Sequence, residues 1–191
     1  MRQPSAKTET TCSVPQPWHL RAAARALRDG GVIAYPTEAV YGLGCDPLNA
    51  DAVMRLLALK QRPVSAGLIL IAADFSQVEP FLLPVSSRVR RKIFASWPGP
   101  VTWLLPARAE TPAWLRGRHS NLAVRVTDHA GTVALCRHFG GALVSTSANP
   151  RGQVPARSSC AAPVPGRLPA TTVRSSIPQA RSVFRNTTRP G

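Results

Sequence analysis

Lys60 and Arg62 are the first side chains in this chain of 191 residues whose types and spacing suggest chemistry. Periodicity predicts a helix over residues 52–60. Lys60 follows Leu56 and Leu57 by four and three positions, so its ammonium shares their apolar face. Two cations at the end of such a helix could bind phosphate. The alternative is a solvated helix end, where cations are favoured by the helix dipole.

The residues before this helix predict a strand followed by a tight connection. Residues 31–35 form an apolar run, and a proline ends the run because proline cannot donate to a sheet ladder. Thr37 and Glu38 follow where the strand ends. Gly42 and Gly44 then predict tight turns or a close approach of the backbone to a ligand. A strand end, a glycine turn and a cationic helix end together indicate a phosphate pocket.

Arg125 is a charged residue inside the otherwise apolar strand predicted over residues 121–126. Because side chains alternate along a strand, Arg125 lies on the face opposite Val124 and Val126. One interpretation is a half-exposed strand whose arginine points into water. The functional interpretation is a guanidinium that binds a carboxylate or a phosphate through two N–H groups.

Hydrogen-bonding side chains also cluster at the end of the strand predicted over residues 142–146. They are Ser145, Thr146, Ser147 and Asn149. Ligands in open α/β sheets bind beyond the carboxyl ends of the strands, so this cluster is a candidate binding site. The alternative is a polar turn that caps the next element.

Several common catalytic and metal-binding signatures are absent from the sequence. There is no GxxxxGK[ST] phosphate loop, no GxGxxG, no HExxH and no GxSxG. The four cysteines are widely spaced without a CxxC pair, which argues against a zinc site or a disulfide framework. The four histidines are scattered, and we interpret them as surface or helix-face residues. The sequence therefore predicts no metal ligands of its own.

Charge and hydropathy limit the partners and the compartment. The formal net charge of +15 favours acidic partners such as nucleotides or nucleic acid. No apolar run approaches the roughly 18 residues typical of a membrane span, and no secretory apolar region begins the chain. Together with the isolated cysteines, these features predict a cytoplasmic protein without membrane contact.

Predicted strands and helices alternate, which favours a single-domain α/β fold with helices on both faces of the sheet. The predicted helices cover residues 18–29, 52–60 (capped by Asn49 or Asp51), 86–96 (capped by Ser86 or Ser87) and 130–139, and the predicted strands cover residues 31–35, 66–73, 101–105, 121–126 and 142–146. We expect this domain to span residues 17–157, after a flexible extension over residues 1–16. Residues 158–191 are a basic tail rich in Ser, Pro and Arg, in which we predict no regular element.

Five ordered motifs resemble the YrdC/TsaC family of threonylcarbamoyl-adenylate synthases, in its short bacterial form. They are YPTEAVYGLG from Tyr35, KQRP from Lys60, WPGPVT from Trp97, LAVRV from Leu122 and STSAN from Ser145. The resemblance covers roughly residues 18–157. It implies a twisted sheet with a deep, basic concave groove. It also implies a reaction in which ATP, L-threonine and bicarbonate or CO2 give threonylcarbamoyl-adenylate and diphosphate.

The resemblance further implies roles for individual residues and partners. The residues implied to hold the triphosphate and its Mg²⁺ environment are Lys60, Arg62, Ser147 and Asn149. Asn121 is implied to contact the nucleotide, and the residues implied to bind threonine are Thr37, Arg125 and Ser145. The product is expected to pass to bacterial threonylcarbamoyl-transfer proteins that modify tRNA next to the anticodon, and the basic groove could contact tRNA. No side chain is an evident general base.

Two alternatives remain open from the sequence. One is a non-catalytic RNA-binding module that uses the basic groove, and the other is an inactive relative with a disrupted C-terminus. Residues 129–191 contain eight arginines and no acidic residue, whereas a family-like ending would carry several acids. We therefore expect residues 158–191 to be poorly packed or to arise from a shifted reading frame that begins near Arg157.

Overall fold

A computed structural model of the protein describes residues 17–149 and, for their backbone, residues 184–186. The helices are α1 (Pro17–Arg28), α2 (Ala50–Leu59), α3 (Ser87–Phe94), α4 (Ala113–Arg116) and α5 (Ala130–Phe139). The strands are β1 (Ile33–Pro36), β2 (Tyr41–Gly44), β3 (Ile69–Ala72), β4 (Thr102–Pro106), β5 (Asn121–Val126), β6 (Leu143–Ser147) and β7 (Phe184–Asn186). Short 3₁₀ turns lie at Val64–Ala66, Phe75–Gln77 and Glu79–Phe81.

The strands form one mixed sheet in the order β1-β2-β6-β3-β5-β4-β7. Strand β3 runs parallel to β5, and β4 runs parallel to β7, while the other neighbouring pairs are antiparallel. The α/β class predicted from the alternating pattern is therefore confirmed. None of the helices within residues 17–149 has the length and apolar character needed to cross a membrane.

Helices cover the two faces of the sheet to different extents. The larger core lies on the face covered by α2, α3 and α4, and it includes Leu56, Leu70 and Trp103. On the other face, α1 and α5 pack over Tyr35, Ile71 and other residues of β1, β3 and β6. Sheet residues beyond these two helices stay open on this second face. The predicted covering of both faces is confirmed, and the uncovered part of the second face is where a cleft forms.

Polar side chains cap the starts of α2 and α3. The Asn49 side chain accepts a hydrogen bond from Ala52 N (3.0 Å) at the start of α2, as one of the two predicted caps would. Ser86 does the same for α3, accepting from Val89 N at 3.4 Å. Helix α2 ends with Lys60 as its C-cap, and the Lys60 side chain contacts Ser147 at the end of β6.

The prediction of glycine turns after the first strand is wrong. Gly42 and Gly44 lie in β2, which returns antiparallel to β1 after a short loop in which Thr37 N donates to Val40 O. A strand of two glycines among four residues carries no apolar alternation, so its pattern resembles a loop. The alternative, a close approach of this backbone to a ligand, stays a prediction. At Gly44 the close neighbours are protein atoms, because a Cβ there would lie 2.6 Å from Val144 O and 2.7 Å from Tyr35 Cε1.

Two further elements were not predicted. Helix α4 has four residues, too few to show helical periodicity. Strand β7, with three residues, lies in the tail where no regular element was expected, and it pairs with β4. A three-residue strand is likewise too short for an alternating pattern. The extension over residues 1–16, the boundary near residue 157 and most of the tail lie outside the described residues, so the domain limits stay predictions.

Candidate functional site

Three adjoining cavities open where α1 and α5 leave the sheet uncovered. The central cleft has a volume of about 340 Å³ and is lined by residues that include Thr37, Gly42, Ile71, Arg125, Ser145 and Ser147. The lysine pocket, about 260 Å³, is lined by Lys60, Pro63, Ala66, Thr146, Ser147 and Asn149. The edge pocket, about 490 Å³, includes Leu104, Arg116, His119, Asn121 and Ala123. Arg62 lines all three cavities, so they form one continuous surface.

The register of the sheet explains which side chains reach the central cleft. Ile71 pairs with Arg125 in β5 and with Leu143 in β6. Paired residues of neighbouring strands point to the same face, and so do residues two positions apart. Arg125 and Ser145 therefore lie on the same face as Ile71, which is the partly uncovered one. The alternation predicted for β5 is confirmed, with Arg125 opposite the buried Val124 and Val126.

Lys60 is a buried cation that joins the end of α2 to the end of β6. Its side chain lies on the apolar face of α2, as predicted, and the residue is only 6% exposed. The ammonium donates to Ser147 O at 2.6 Å and to Asn149 Oδ1 at 3.0 Å, and it also contacts Asn149 O. Burial lowers the pKa of the Lys60 ammonium, and the nearby Arg62 guanidinium lowers it further. The solvated helix end considered from the sequence is therefore wrong for Lys60.

Arg62 adds a second cation next to Lys60, but it is exposed. Its Nε and Nη2 donate to Gly67 O at 3.1 and 2.9 Å, and Nη2 also donates to Ala66 O at 3.2 Å. These contacts hold the side chain against the turn that follows Pro63. The guanidinium thereby stays at the junction of the three cavities, where an anion could reach it.

Arg125 lines the central cleft and is held by two polar neighbours. Its Nε and Nη2 both donate to Thr102 Oγ1, at 3.0 and 2.8 Å. Its Nη1 pairs with Glu38 Oε2 at 3.4 Å, with the two side chains 13% and 8% exposed. The carboxylate of Glu38 also accepts from Thr127 Oγ1. The interpretation of Arg125 as a residue pointing freely into water is therefore wrong.

The remaining predicted residues occupy different parts of this surface. Thr37 lines the central cleft, but its hydroxyl donates to Val40 O at 2.7 Å and thus closes the loop between β1 and β2. Ser145 lines the same cleft. Asn121 lies at the start of β5 and lines only the edge pocket among the cavities described here. The other seven predicted residues therefore each share a cavity with Arg62, and among them Asn121 lies in the edge pocket by itself.

Three residues that contact the lining of the central cleft were not predicted as site residues. Two of them, Thr102 and Glu38, hold Arg125. The sequence marks Thr102 only as a polar residue at the start of an apolar strand, and Glu38 only as an acidic residue just after a strand. The third is Tyr35, whose ring lies over Gly44 and whose hydroxyl is buried without a hydrogen-bond partner among the described residues. Burial raises the pKa of the Tyr35 phenol, and the nearby polar side chain of Ser145 opposes this shift.

The charge of the site suits an anionic ligand. Among the described residues that line the three cavities, the charged side chains are cationic, and they are Lys60, Arg62, Arg116 and Arg125. The carboxylate of Glu38 is turned toward Arg125 and Thr127. Within residues 17–149, no group of three or more His, Cys, Asp or Glu side chains is placed to hold a metal ion. The arrangement can bind phosphate or carboxylate groups against fixed cations.

Curated relatives match this chain across most of its length. The threonylcarbamoyl-AMP synthase of Nitrosococcus oceani is 58% identical over 141 residues, which are 74% of this chain and 76% of the relative. The enzyme of the same name from Halorhodospira halophila is 60% identical over 143 residues, 75% of each chain. Such identity extends well beyond the short motifs that line the cavities.

Solved structures share the fold. The Sua5 protein of P. abyssi in complex with L-threonine superposes with a TM-score of 0.80 at 26% identity, covering 91% of this chain and 52% of that chain. YciO from E. coli superposes with a TM-score of 0.66 at 28% identity, covering 77% of this chain and 71% of the other. This chain thus spans about half the length of the Sua5 protein.

A family model for Sua5, YciO and YrdC, described as "Telomere recombination", matches residues 25–164. The match includes the helix that carries Lys60, the strand that carries Arg125 and the loop that carries Asn149. The resemblance seen in the sequence is therefore confirmed by independent comparison with proteins and with structures. On this evidence, the chain is a member of the Sua5/YciO/YrdC family.

Proposed function

We propose that the protein is a threonylcarbamoyl-AMP synthase, which condenses L-threonine, bicarbonate or CO2, and ATP into threonylcarbamoyl-adenylate and diphosphate. The observation that carries the proposal is the convergence of Lys60, Ser147 and Asn149 next to Arg62, on the same surface as Arg125. Relatives that are 58–60% identical over three quarters of the chain carry this activity in their names. The Sua5 structure with L-threonine supports threonine as a substrate.

The triphosphate of ATP would occupy the lysine pocket. Fixed cations aimed at phosphate oxygens stabilise the charge that develops during nucleotidyl transfer, and they require no reorganisation at the moment of reaction. Lys60 is held by Ser147 and Asn149, while Arg62 is exposed beside them. These four residues would position the α-phosphate and the leaving diphosphate. Asn121 would contact the nucleoside from the edge pocket.

Threonine would bind in the central cleft. Its carboxylate would pair with the Arg125 guanidinium, because a planar guanidinium can bind both oxygens of a carboxylate. Ser145 and Thr37 line the same cleft and would contact the rest of the amino acid. Both substrates would then meet near Arg62, which borders the central cleft and the lysine pocket.

The chemistry follows from this placement. The neutral threonine amine forms a C–N bond with CO2 and releases one proton to water, or it forms this bond with bicarbonate and releases water; either route gives a carbamate. A carbamate oxygen then attacks the α-phosphorus of ATP, and the bond to the bridging oxygen of the β-phosphate breaks. Diphosphate leaves with the electron pair of that bond, and Lys60 and Arg62 offset its charge. Holding the reactants at bonding distance can account for much of the rate, since a general base is not required for the second step.

Magnesium and the acceptor of the product are further parts of the proposal. The described residues contain no carboxylate cluster of their own for a metal, and Mg²⁺ prefers phosphate oxygens and water in octahedral geometry. Mg²⁺ would therefore be held mainly through the nucleotide. The adenylate would be passed in the cytoplasm to threonylcarbamoyl-transfer proteins that modify tRNA next to the anticodon. The cationic lining of the cavities would favour contact with tRNA.

Diphosphate release from ATP tests this proposal. The full chain is incubated with ATP and Mg²⁺, and L-threonine and bicarbonate are omitted singly and together. We expect release only when both are present, with L-threonine not replaceable by D-threonine. Release that is independent of threonine would contradict the proposal. Binding of tRNA without any diphosphate release would instead favour the RNA-binding module.

A further inference from the structure

We infer that Thr102 is a positioning residue for threonine binding, because its hydroxyl orients the guanidinium of Arg125. This inference rests on the proposed contact between Arg125 and the threonine carboxylate. Thr102 is a buried residue at the start of β4, 1% exposed, and it does not line the central cleft itself. Its influence on the substrate therefore acts through Arg125.

The geometry determines which edge of the guanidinium remains for a ligand. An arginine side chain has five N–H donors in a fixed plane. Two of them, on Nε and Nη2, converge on Thr102 Oγ1 at 3.0 and 2.8 Å, so Thr102 closes the edge that these nitrogens share. A third, on Nη1, is directed to Glu38 Oε2 at 3.4 Å. One N–H on each terminal nitrogen is left without a bond to Thr102 or Glu38, and on this inference these two would bind the carboxylate in the cleft.

Sheet register fixes Thr102 in this place. Strands β4 and β5 are antiparallel and pair Trp103 with Val124, which brings the neighbouring residues Thr102 and Arg125 side by side. Trp103 is anchored in turn, because its Nε1 donates to Ser96 Oγ at 2.8 Å. The hydroxyl of Thr102 is thus held by a strand that is paired on both sides, with β5 and with β7, and not by a loop. Groups that position a binding side chain are most effective on such rigid elements.

Glu38 alone would not hold the guanidinium in this orientation. Its contact with Arg125 is longer than either contact from Thr102, and its other carboxylate oxygen accepts from Thr127 Oγ1. If the Thr102 hydroxyl is removed, the Nε edge loses its acceptor and the guanidinium can rotate toward Glu38. The two N–H groups would then no longer face the cleft. Threonine affinity should fall, whereas ATP, bound around Lys60, should be little affected.

The experiment compares two isosteric or nearly isosteric variants in two backgrounds. Thr102→Val removes the acceptor and retains the shape, while Thr102→Ser retains the acceptor and loses a methyl group. Each is made in the wild-type chain and in Arg125→Lys, and steady-state diphosphate release gives kcat and the KM of each substrate. Thr102→Cys, whose sulfur is a weak acceptor, replaces Thr102→Val if melting curves show that valine impairs folding.

We expect Thr102→Val to raise the threonine KM by roughly 10-fold, as misplacement of a binding group does, with the ATP KM and kcat changed by less than about 2-fold. Thr102→Ser should stay within about 3-fold of wild type, because its hydroxyl rescues the contact. In the Arg125→Lys background, Thr102→Val should raise the threonine KM by less than about 2-fold, since lysine has no Nε–H group for Thr102 to orient.

The outcomes separate this inference from the function on which it rests. If Arg125→Lys alone leaves threonine affinity unchanged, the assignment of Arg125 to the carboxylate is wrong. If Arg125→Lys weakens threonine binding but Thr102→Val does not, the positioning role of Thr102 is wrong. That role would also be wrong if Thr102→Val raised the threonine KM equally in both backgrounds, or if it raised the KM values for threonine and ATP equally.

Discussion

The ammonium of Lys60 lies 3.0 Å from the side-chain amide oxygen of Asn149, although 89 residues separate the two along the chain. Lys60 ends α2, and Asn149 follows β6, so this contact joins the two halves of the candidate site. A buried ammonium needs such acceptors, because an unpaired charge out of water is strongly destabilising. The contact therefore accounts both for the burial of Lys60 and for its orientation toward the lysine pocket.

The first prediction concerns the two cations. Lys60→Ala and Arg62→Ala should each lower threonine-dependent diphosphate release by about 10²-fold, because each removes a charge that stabilises the developing anion. Lys92→Ala, an exposed lysine on α3, is the matched control and should retain wild-type rates. Near wild-type turnover in both site variants would exclude them from the reaction.

The second prediction concerns Arg125. Arg125→Lys should weaken threonine binding by about 10-fold or more, because lysine cannot present two N–H groups in one plane. ATP binding should change much less. Calorimetric titration with each ligand separates the two effects, and Arg91→Lys, at an exposed position of α3, serves as the control. An effect on ATP alone would assign Arg125 to the nucleotide instead.

The third prediction tests the close contact between β1, β2 and β6. Gly44→Ala should lower the free energy of unfolding by about 1–3 kcal/mol, because the added methyl group would overlap a carbonyl and an aromatic ring. Those neighbours are Val144 O at 2.6 Å and Tyr35 Cε1 at 2.7 Å. Gly141→Ala meets nothing closer than 3.7 Å and should be nearly neutral. Urea unfolding measures the free energy of unfolding of both variants. Equal values would show that the space around Gly44 is not too small for a methyl group.

The fourth prediction concerns pH and His129, whose side chain caps α5 by accepting from Thr132 N at 3.3 Å. Burial lowers the pKa of the His129 imidazole, while Glu38 and Asp128 oppose this shift. The folded state therefore binds fewer protons than the unfolded state between the lowered pKa and the usual value of about 6.5, so stability rises with pH across that window. On acidification through it, the protein should lose stability.

The matched variant for this test is His129→Asn, which retains a capping acceptor but does not titrate. Between about pH 7.5 and pH 5, the free energy of unfolding of the wild-type chain should fall more steeply than that of the variant. The other histidines contribute equally to both proteins and cancel in the comparison. Parallel pH profiles would mean that His129 does not contribute to acid sensitivity.

The sequence predicted the parts of the fold whose elements are long and periodic. The Lys60 position on the apolar face of α2 and the alternation around Arg125 in β5 both follow from periodicity alone, and both are confirmed. Strand β2 was missed because its two glycines show no alternation, and α4 and β7 were missed because they are short. Local pattern carries no information about pairing between distant segments.

The same limit applies to the site. Residue types suggested Lys60, Arg62 and Arg125, and the family resemblance supplied roles for them, which stay predictions. The contact of Arg125 with Thr102 and Glu38 could not be predicted, because it depends on strand register and on a side chain in the loop between β1 and β2. The expectations of a poorly packed tail and of a shifted reading frame fall mostly on residues outside 17–149 and 184–186. Limited proteolysis and resequencing of the coding DNA remain their tests.

The most direct test of the proposed activity is the identity of the product itself. The full chain is incubated with ATP, Mg²⁺, L-threonine and isotopically labelled bicarbonate, and the adenylates are separated and weighed by mass spectrometry. We expect threonylcarbamoyl-adenylate that carries the bicarbonate label, formed by the wild-type chain and about 10²-fold more slowly by Lys60→Ala. An adenylate without the label, or the absence of any threonine adduct while ATP is consumed, would contradict the proposed activity.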